Sequence, residues 1–316
     1  MIRTFMTGAL ILLALRSMAC DACGCLYLGL QPHDRANNFG LWYRMRYLNG
    51  DVRTATATSL AKHGDHVTTS SGRAAMTELY MALEARGEYW FGKRFRLMAT
   101  VPLVNNYQSV DSTMTADIYA VGDPVLMGRY VVHNTLASAA SDAMRHRITL
   151  GGGVKFPLGR HDLSTAQGER LDHDLQPGTG TWDWLLSIEY LLRKGDWGLG
   201  ASSVGRVNGA SGDGHLMGHG TSSTLEVFRV LWTGPVQWMP SAGAYHEFTM
   251  RDRQDGAQVD GTGGSVLFSH LSARLWWRSY GLSIAWQHAL AQDNGVAMVP
   301  NRERLIAGLS YNLNTN

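Results

Sequence analysis

Three cysteines stand within one short stretch, Cys20-Asp21-Ala22-Cys23-Gly24-Cys25, and the chain has no others. The C-x2-C-x-C spacing puts three thiols in one loop, and soft thiolates favour Cu(I) or Zn(II). His33 follows closely enough to add an imidazole, and a free amine on Cys20 would add a further donor. This makes Cys20, Cys23, Cys25 and His33 the first candidate metal ligands, with copper or zinc as the expected ion. Two other readings stay open. In an oxidising compartment two of the thiols would pair and leave one over. Alternatively Cys20 carries lipid, since Ala19 fits the position before a lipidated cysteine.

Histidines supply the second set of candidates. His63 with His66, His161 with His173, and His215 with His219 fall in polar, glycine-bearing stretches. Imidazole beside Asp or Met suits transition metals, and equally suits a wet surface. His270-Leu271-Ser272 has the spacing of the histidine and serine in lipid-hydrolysing barrels. Alternation puts both on the polar face here, and no Asn or Asp on the polar face of 280–290 would orient the imidazole as a triad requires. Gly151-Gly152-Gly153 lacks the lysine-serine pair and following helix of a phosphate loop, so it reads as relief of crowding within a strand. No enzymatic activity is expected; a barrel-wall lipid hydrolase is the second alternative.

The elements that must position these residues show a period of two. Trp182, Trp184, Leu186, Ile188, Tyr190 and Leu192 share one parity, opposite Asp183, Ser187, Glu189 and Arg193. Such alternation is a strand with unlike faces. It recurs at about 39–49, 76–90, 94–104, 119–133, 145–157, 180–193, 196–207, 221–233, 236–249, 265–277, 280–290 and 302–313. The connections 50–75, 105–118, 158–179, 208–220, 250–264 and 291–301 are long, and those between are short apart from 134–144. Charges such as Glu78, Glu84, Arg86 and Glu88 on one face of a strand cannot pack a dry core unpaired, but can line a wet lumen. Aromatic residues gather at the short turns: Trp90, Phe91 and Phe95; Trp197; Trp232 and Trp238; Trp276, Trp277 and Tyr280. These features predict an all-β fold, a single antiparallel up-and-down transmembrane β-barrel of about twelve strands with long outer loops and short periplasmic turns.

Arg3, an apolar run from Phe5 to Leu15 and Ser17-Met18-Ala19 have the form of a secretory signal. The run is too short to span a bilayer as a helix. The expected division is a signal peptide at 1–19, a cysteine-bearing periplasmic segment at 20–38 and the barrel at 39–316. Lys and Arg number 28 against 26 Asp and Glu, with no basic stripe, which argues against a nucleic-acid partner.

Three segments carry a resemblance. Val121-Gly122-Asp123-Pro124-Val125, the run Gly151-Gly152-Gly153-Val154-Lys155-Phe156-Pro157-Leu158-Gly159, and Leu175-Gln176-Pro177-Gly178-Thr179-Gly180-Thr181-Trp182-Asp183 resemble motifs of the outer-membrane barrels of the phenol-degradation meta-pathway type. The Cys20–Cys25 opening resembles that of Bacteroidota barrel proteins beginning C-D-x-C-G-C. Leu158 departs from a small polar residue, and the end Tyr311-Asn312-Leu313-Asn314-Thr315-Asn316 lacks the terminal aromatic of barrel insertion signals. The resemblance implies a channel or transporter, often for apolar or aromatic compounds.

The expected function is therefore an outer-membrane channel for a small solute, a hydrophobic or aromatic compound or a metal ion, with a link to copper or zinc through the cysteines. The alternative is a metal-binding outer-membrane anchor without transport. Lumen-lining positions are expected at Arg44, Arg46, Glu84, Arg86, Glu88, Arg94, Arg96, Arg147, Lys155, Asp183, Glu189 and Arg274. Outer-membrane lipids are the expected surroundings, with a periplasmic partner on the cysteine side.

Overall fold

The structure is a computed structural model that describes residues 37–54, 72–136, 143–164, 168, 170–295 and 297–313. The cysteine segment, His33, His63, His66 and the signal stretch lie outside the described residues. The period-two segments form twelve antiparallel strands: β1 Asn37–Thr54, β2 Gly72–Phe91, β3 Phe95–Val110, β4 in two pieces (Thr113–Val121 and Val125–Asn134), β5 Arg145–Lys155 and β6 Asp183–Lys194. They continue with β7 Trp197–Val207, β8 Gly220–Arg229 extended by Leu231–Thr233, β9 Val236–Thr249, β10 Gly264–Trp277, β11 Tyr280–Asn294 and β12 Asn301–Leu313. Each pairs with its neighbour in sequence, and β12 returns to β1 with Leu313 opposite Asn37 and Leu305 opposite Met45. Closure leaves the sheet without an end strand, although Thr113–Val121, the outer piece of β4, pairs on one side alone, with β3.

Alternation sorts the two surfaces. In β6, Asp183, Leu185, Ser187, Glu189 and Leu191 are buried inside, while Trp184, Leu186 and Ile188 are exposed outside. The outer wall shows Leu41, Leu83, Val101, Leu103, Leu271, Leu282, Ile284 and Leu309 in the same way. A closed sheet with a bulky apolar outside and a charged inside is built for hydrocarbon, because water would penalise that exterior and lipid would penalise the interior.

Three expectations need correction. The stretch 105–118 is not a long loop: β3 and β4 run on to a two-residue turn at Asp111 and Ser112, whose φ values of 47° and 67° are those of a primed hairpin turn. The single strand expected at 119–133 is split at Gly122–Pro124, because Pro124 has no N–H to give the ladder. The aromatic residues at the short turns do not all face outward. Trp90 is buried inside the barrel, and Trp276 packs against the interior cluster of Leu191, Phe228, Val230 and Met239, while Phe91, Phe95, Trp197, Trp232, Trp238, Trp277 and Tyr280 are exposed.

The wall makes a prediction. Ile188→Arg, which places a charge on the outer face midway along β6, should destabilise the barrel by about 2–4 kcal/mol. Urea unfolding in lipid vesicles measures it, and a loss under about 0.5 kcal/mol, the scale of ordinary surface substitutions, would contradict a lipid-facing position.

Candidate functional site

The inward side chains form layers. Nearest the short turns, Glu88 of β2, Arg96 of β3, Arg129 of β4, Arg147 of β5 and Glu189 of β6 converge, all buried. Arg129 Nη2 donates to Glu189, Arg147 Nη2 donates to Glu189 Oε1 at 3.2 Å, and Arg96 bridges Glu88 at 3.5 Å and Glu189 at 3.6 Å. Arg96 also lies over the Trp90 ring, 5.4 Å from its centroid. Room for Arg129 comes from Gly151, where an added Cβ would sit 3.1 Å from Arg129 Cγ and 2.3 Å from Ser187 Oγ.

Above and beside this layer stand three carboxylates with basic partners. Glu84 accepts from Arg44 Nε at 2.6 Å and from Arg86 at 2.8 Å, and Arg86 stacks on Trp42. Glu247 takes Arg46 at 2.9 Å, Arg304 and the Tyr245 hydroxyl. Glu226 accepts from Arg274 Nη2 at 2.9 Å and from Ser241 Oγ. Guanidinium–carboxylate pairing of this kind is what lets charges stay ionised out of water. A cavity of about 180 Å³ lies in the lumen, with Pro102, Val104, Leu185, Val204 and Ile306 on its apolar walls and Arg44, Arg46, Glu84, Lys155 and Arg304 on its charged ones.

Its roof is the long connection between β5 and β6. A short 3-10 turn at His173–Leu175 is buried, and Asn106 Nδ2 on β3 donates to Leu175 O at 3.0 Å. The three segments that carry the family resemblance, far apart in sequence, meet here. Asp123 Oδ1 accepts from Gly159 N at 2.8 Å, and Oδ2 accepts from Thr179 N at 2.9 Å and lies 3.2 Å from Lys155 Nζ. Lys155 also reaches Asp183 at 2.5 Å, which accepts from Thr181 Oγ1 at 2.8 Å. Gly159 and Gly178 pass so close that a Cβ on Gly178 would lie 2.7 Å from Asp123 Oδ1 and 2.6 Å from Gly159 O. One carboxylate thus pins both ends of the loop inside the barrel mouth.

Eleven of the residues expected in the lumen are buried or half-buried in these layers: Arg44, Arg46, Glu84, Arg86, Glu88, Arg96, Arg147, Lys155, Asp183, Glu189 and Arg274. The twelfth differs. Arg94 is exposed in the turn before β3, with Nη1 3.5 Å from the Tyr130 hydroxyl, because the strand begins one residue later than its alternation suggested. Asp123, Arg129, Glu226, Glu247 and Arg304 belong to the same layers; alternation puts Arg304 on the polar face of its strand and marks Arg129, Glu226 and Glu247 likewise, whereas Asp123 sits in the break of β4, where parity inverts. His270 and Ser272 do point inward: His270 Nδ1 lies 3.0 Å from Gln287 Nε2, and Ser272 Oγ lies 2.6 Å from Ser241 Oγ.

The loop histidines group differently from their spacing. His173 stacks on His215, with ring centroids 3.8 Å apart, rather than joining His161. His219 Nδ1 accepts from Asn208 N at 3.1 Å. Among the described residues no group of three or more His, Cys, Asp or Glu is placed to hold a metal ion. Asp213, in the connection between β7 and β8, ties to the β5–β6 connection by accepting from Arg170 and lying 3.6 Å from His173. Burial acts to raise its pKa, but hydrogen bonds from Ser211 and the His215 N–H and the charges of His173 and Arg170 hold it well below the usual carboxylate range.

No family model and no curated protein matches the chain. Solved structures do. An outer membrane channel from Pseudomonas putida F1 is similar at a TM-score of 0.63 and 14% identity, over 93% of this chain and 100% of that one. The fold is that of an outer-membrane β-barrel. The transport unit of the autotransporter AIDA-I from Escherichia coli (TM-score 0.46, 7% identity, 93% of this chain and 95% of that one) and the monoaromatic hydrocarbon channel TodX in a mutant form (0.43, 9%, 90% and 91%) are more distant.

A depressed carboxylate stabilises its contacts at all pH values above the unfolded pKa and loses that contribution only as pH falls through the depressed one. The His215 N–H should therefore keep its hydrogen-exchange protection, corrected for intrinsic rate, from neutrality down to about pH 4, the ordinary aspartate range. Asp213→Ala should lose it throughout, and a parent that loses protection at that pH would contradict the tie.

Proposed function

We propose that the chain is a bacterial outer-membrane channel that passes a small solute with an apolar body through its lumen. The observation that carries this reading is the cavity between the ion-paired layer and the inward loop, lined by both aliphatic side chains and guanidiniums. A barrel that served only as an anchor could fill its interior completely with side chains, as narrow barrels do. Here the space is kept, and its charged walls are held in pairs that a polar group on a solute could engage in passing. The similar structure from Pseudomonas putida F1 is described as an outer membrane channel, which agrees with the reading. In this arrangement the short turns face the periplasm, the loop ending at Asp183 faces outward, and passage requires the loop to shift against its Asp123 tie. The solute contacts would fall on Arg44, Arg46, Glu84, Lys155 and Arg304 and on the apolar Pro102, Leu185 and Val204.

Flux of small neutral and charged aromatic solutes into vesicles containing the purified barrel tests this directly. The parent should pass at least one such solute, and Leu185→Trp, which fills the cavity from the apolar side, should reduce that flux to the level of empty vesicles. Flux that is absent in the parent, or unchanged by Leu185→Trp, would overturn the reading.

A further inference from the structure

The outer wall breaks its own rule on one side. Across β6, β7, β8 and β9 the outward residues that stand opposite one another are Ile188, Ser203, Ser223 and His246 in one row. The next outward row, two residues nearer the short turns, is Tyr190, Ala201, Leu225 and Ala244. Small residues at 201, 203, 223 and 244 lower the surface between the taller Ile188, Tyr190 and Leu225. The result is a groove of about 380 Å³ in the wall, within the range of about 300–1,000 Å³ common for small-ligand pockets.

The upper row is polar where the wall should be apolar. Ser203 and Ser223 share one hydrogen bond, their hydroxyls 2.9 Å apart, which leaves one of the two O–H groups over. His246 Nε2 lies 2.8 Å from Ser265 Oγ, on the adjacent β10. That contact uses one hydrogen. If the serine donates, the imidazole keeps an N–H on Nδ1; if the imidazole donates, the serine keeps its O–H. Either tautomer leaves one donor on a surface that hydrocarbon covers, which is costly unless an acceptor comes to it.

We propose that this groove holds one acyl chain of a membrane lipid, whose ester carbonyl accepts a hydrogen bond from the His246–Ser265 pair. An ester carbonyl accepts and does not donate, carries no charge, and lies where hydrocarbon meets headgroups. Ser265 is the second residue of β10, at the long-loop end of the wall, which puts the His246 end of the row near that boundary, while Ile188 at the other end stands midway along β6. From there the groove descends past Ala201, Leu225 and Ala244 towards the middle of the barrel, the direction an acyl chain takes from its ester. The site stands on the outside of the wall and does not depend on the channel reading.

Native mass spectrometry of the full barrel, extracted in a mild detergent, tests the proposal, with the retained adduct identified by fragmentation. The parent should keep one ester-linked lipid. Ala201→Leu, which fills the floor, should lose the adduct, and His246→Phe should lower its occupancy about tenfold, as for one hydrogen bond lost out of water. Ile284→Ala, on the outer face away from the groove, should leave it unchanged. Heat-modifiable migration checks that each variant is folded. Should a variant fail that check, cross-linking of the parent by a phospholipid with a photoactivatable acyl chain in vesicles takes its place, and labels should concentrate on β7 to β9. A parent without adduct, an adduct that is not an ester lipid, equal retention in folded Ala201→Leu and His246→Phe, or labels spread evenly around the barrel would each overturn the site.

Discussion

The arrangement of Glu189 among Arg96, Arg129 and Arg147 is the constraint on which the rest of this barrel depends. A wall that faces hydrocarbon outside must put its polar residues inside, and this interior is too narrow to leave them all in water. Three guanidiniums face two carboxylates, Glu189 and Glu88, across four strand boundaries from β2 to β6. Breaking a buried pair by removing one partner costs about 3–5 kcal/mol, a large share of the total for an ordinary fold. Replacing both partners together costs far less. The pairs therefore fix which strands sit beside which more than they add net stability.

The same logic runs upward through the lumen. Glu84, Glu226 and Glu247 each hold at least one guanidinium, and Asp123 and Asp183 hold Lys155. Asp123 differs in that its two oxygens accept from both ends of one loop: the Gly159 and Thr179 N–H groups that begin and end the connection across the mouth. The cavity is what is left between a lower layer fixed by side-chain pairs and a roof fixed by side-chain-to-backbone bonds. The lower layer is tied to the wall strand by strand. The roof is tied to the wall at its two ends and through Asn106, with fewer ties than the lower layer, so it is the part that can move without dismantling the wall.

Much of this was legible in the sequence because a barrel strand states its two faces in every second residue. The run from Trp182 to Leu192 could be read for both its outward tryptophans and its inward Glu189 without any structure. What failed did so where local pattern and three-dimensional position part company. Arg94 has the parity of an inward residue but belongs to a turn. Trp90 looked like a membrane-interface residue and instead supports Arg96 from inside, since an indole face accepts a guanidinium as readily as it meets a headgroup. Asp111 and Ser112 gave no glycine or asparagine to announce a tight turn, so a hairpin was read as a loop. The inward course of 156–182 has no periodicity to reveal it. It is encoded in Asp123, Gly159, Gly178 and Thr179, which become one cluster only when the barrel closes. The pairing of His173 with His215 likewise joins two loops that sequence spacing cannot relate.

A double-mutant cycle on Arg129 and Glu189 tests the central claim most directly, read as the free energy of unfolding in lipid vesicles. If paired charge in the lower layer holds the strand order, Glu189→Leu alone should cost about 3–5 kcal/mol, because it leaves guanidiniums facing one another. Arg129→Met combined with Glu189→Leu should recover a substantial part of that loss, giving a coupling within the range of about 0.5–3 kcal/mol seen for residues in contact. A single substitution that costs no more than a surface change, with additive behaviour in the pair, would show that water screens these charges and that the barrel does not depend on them.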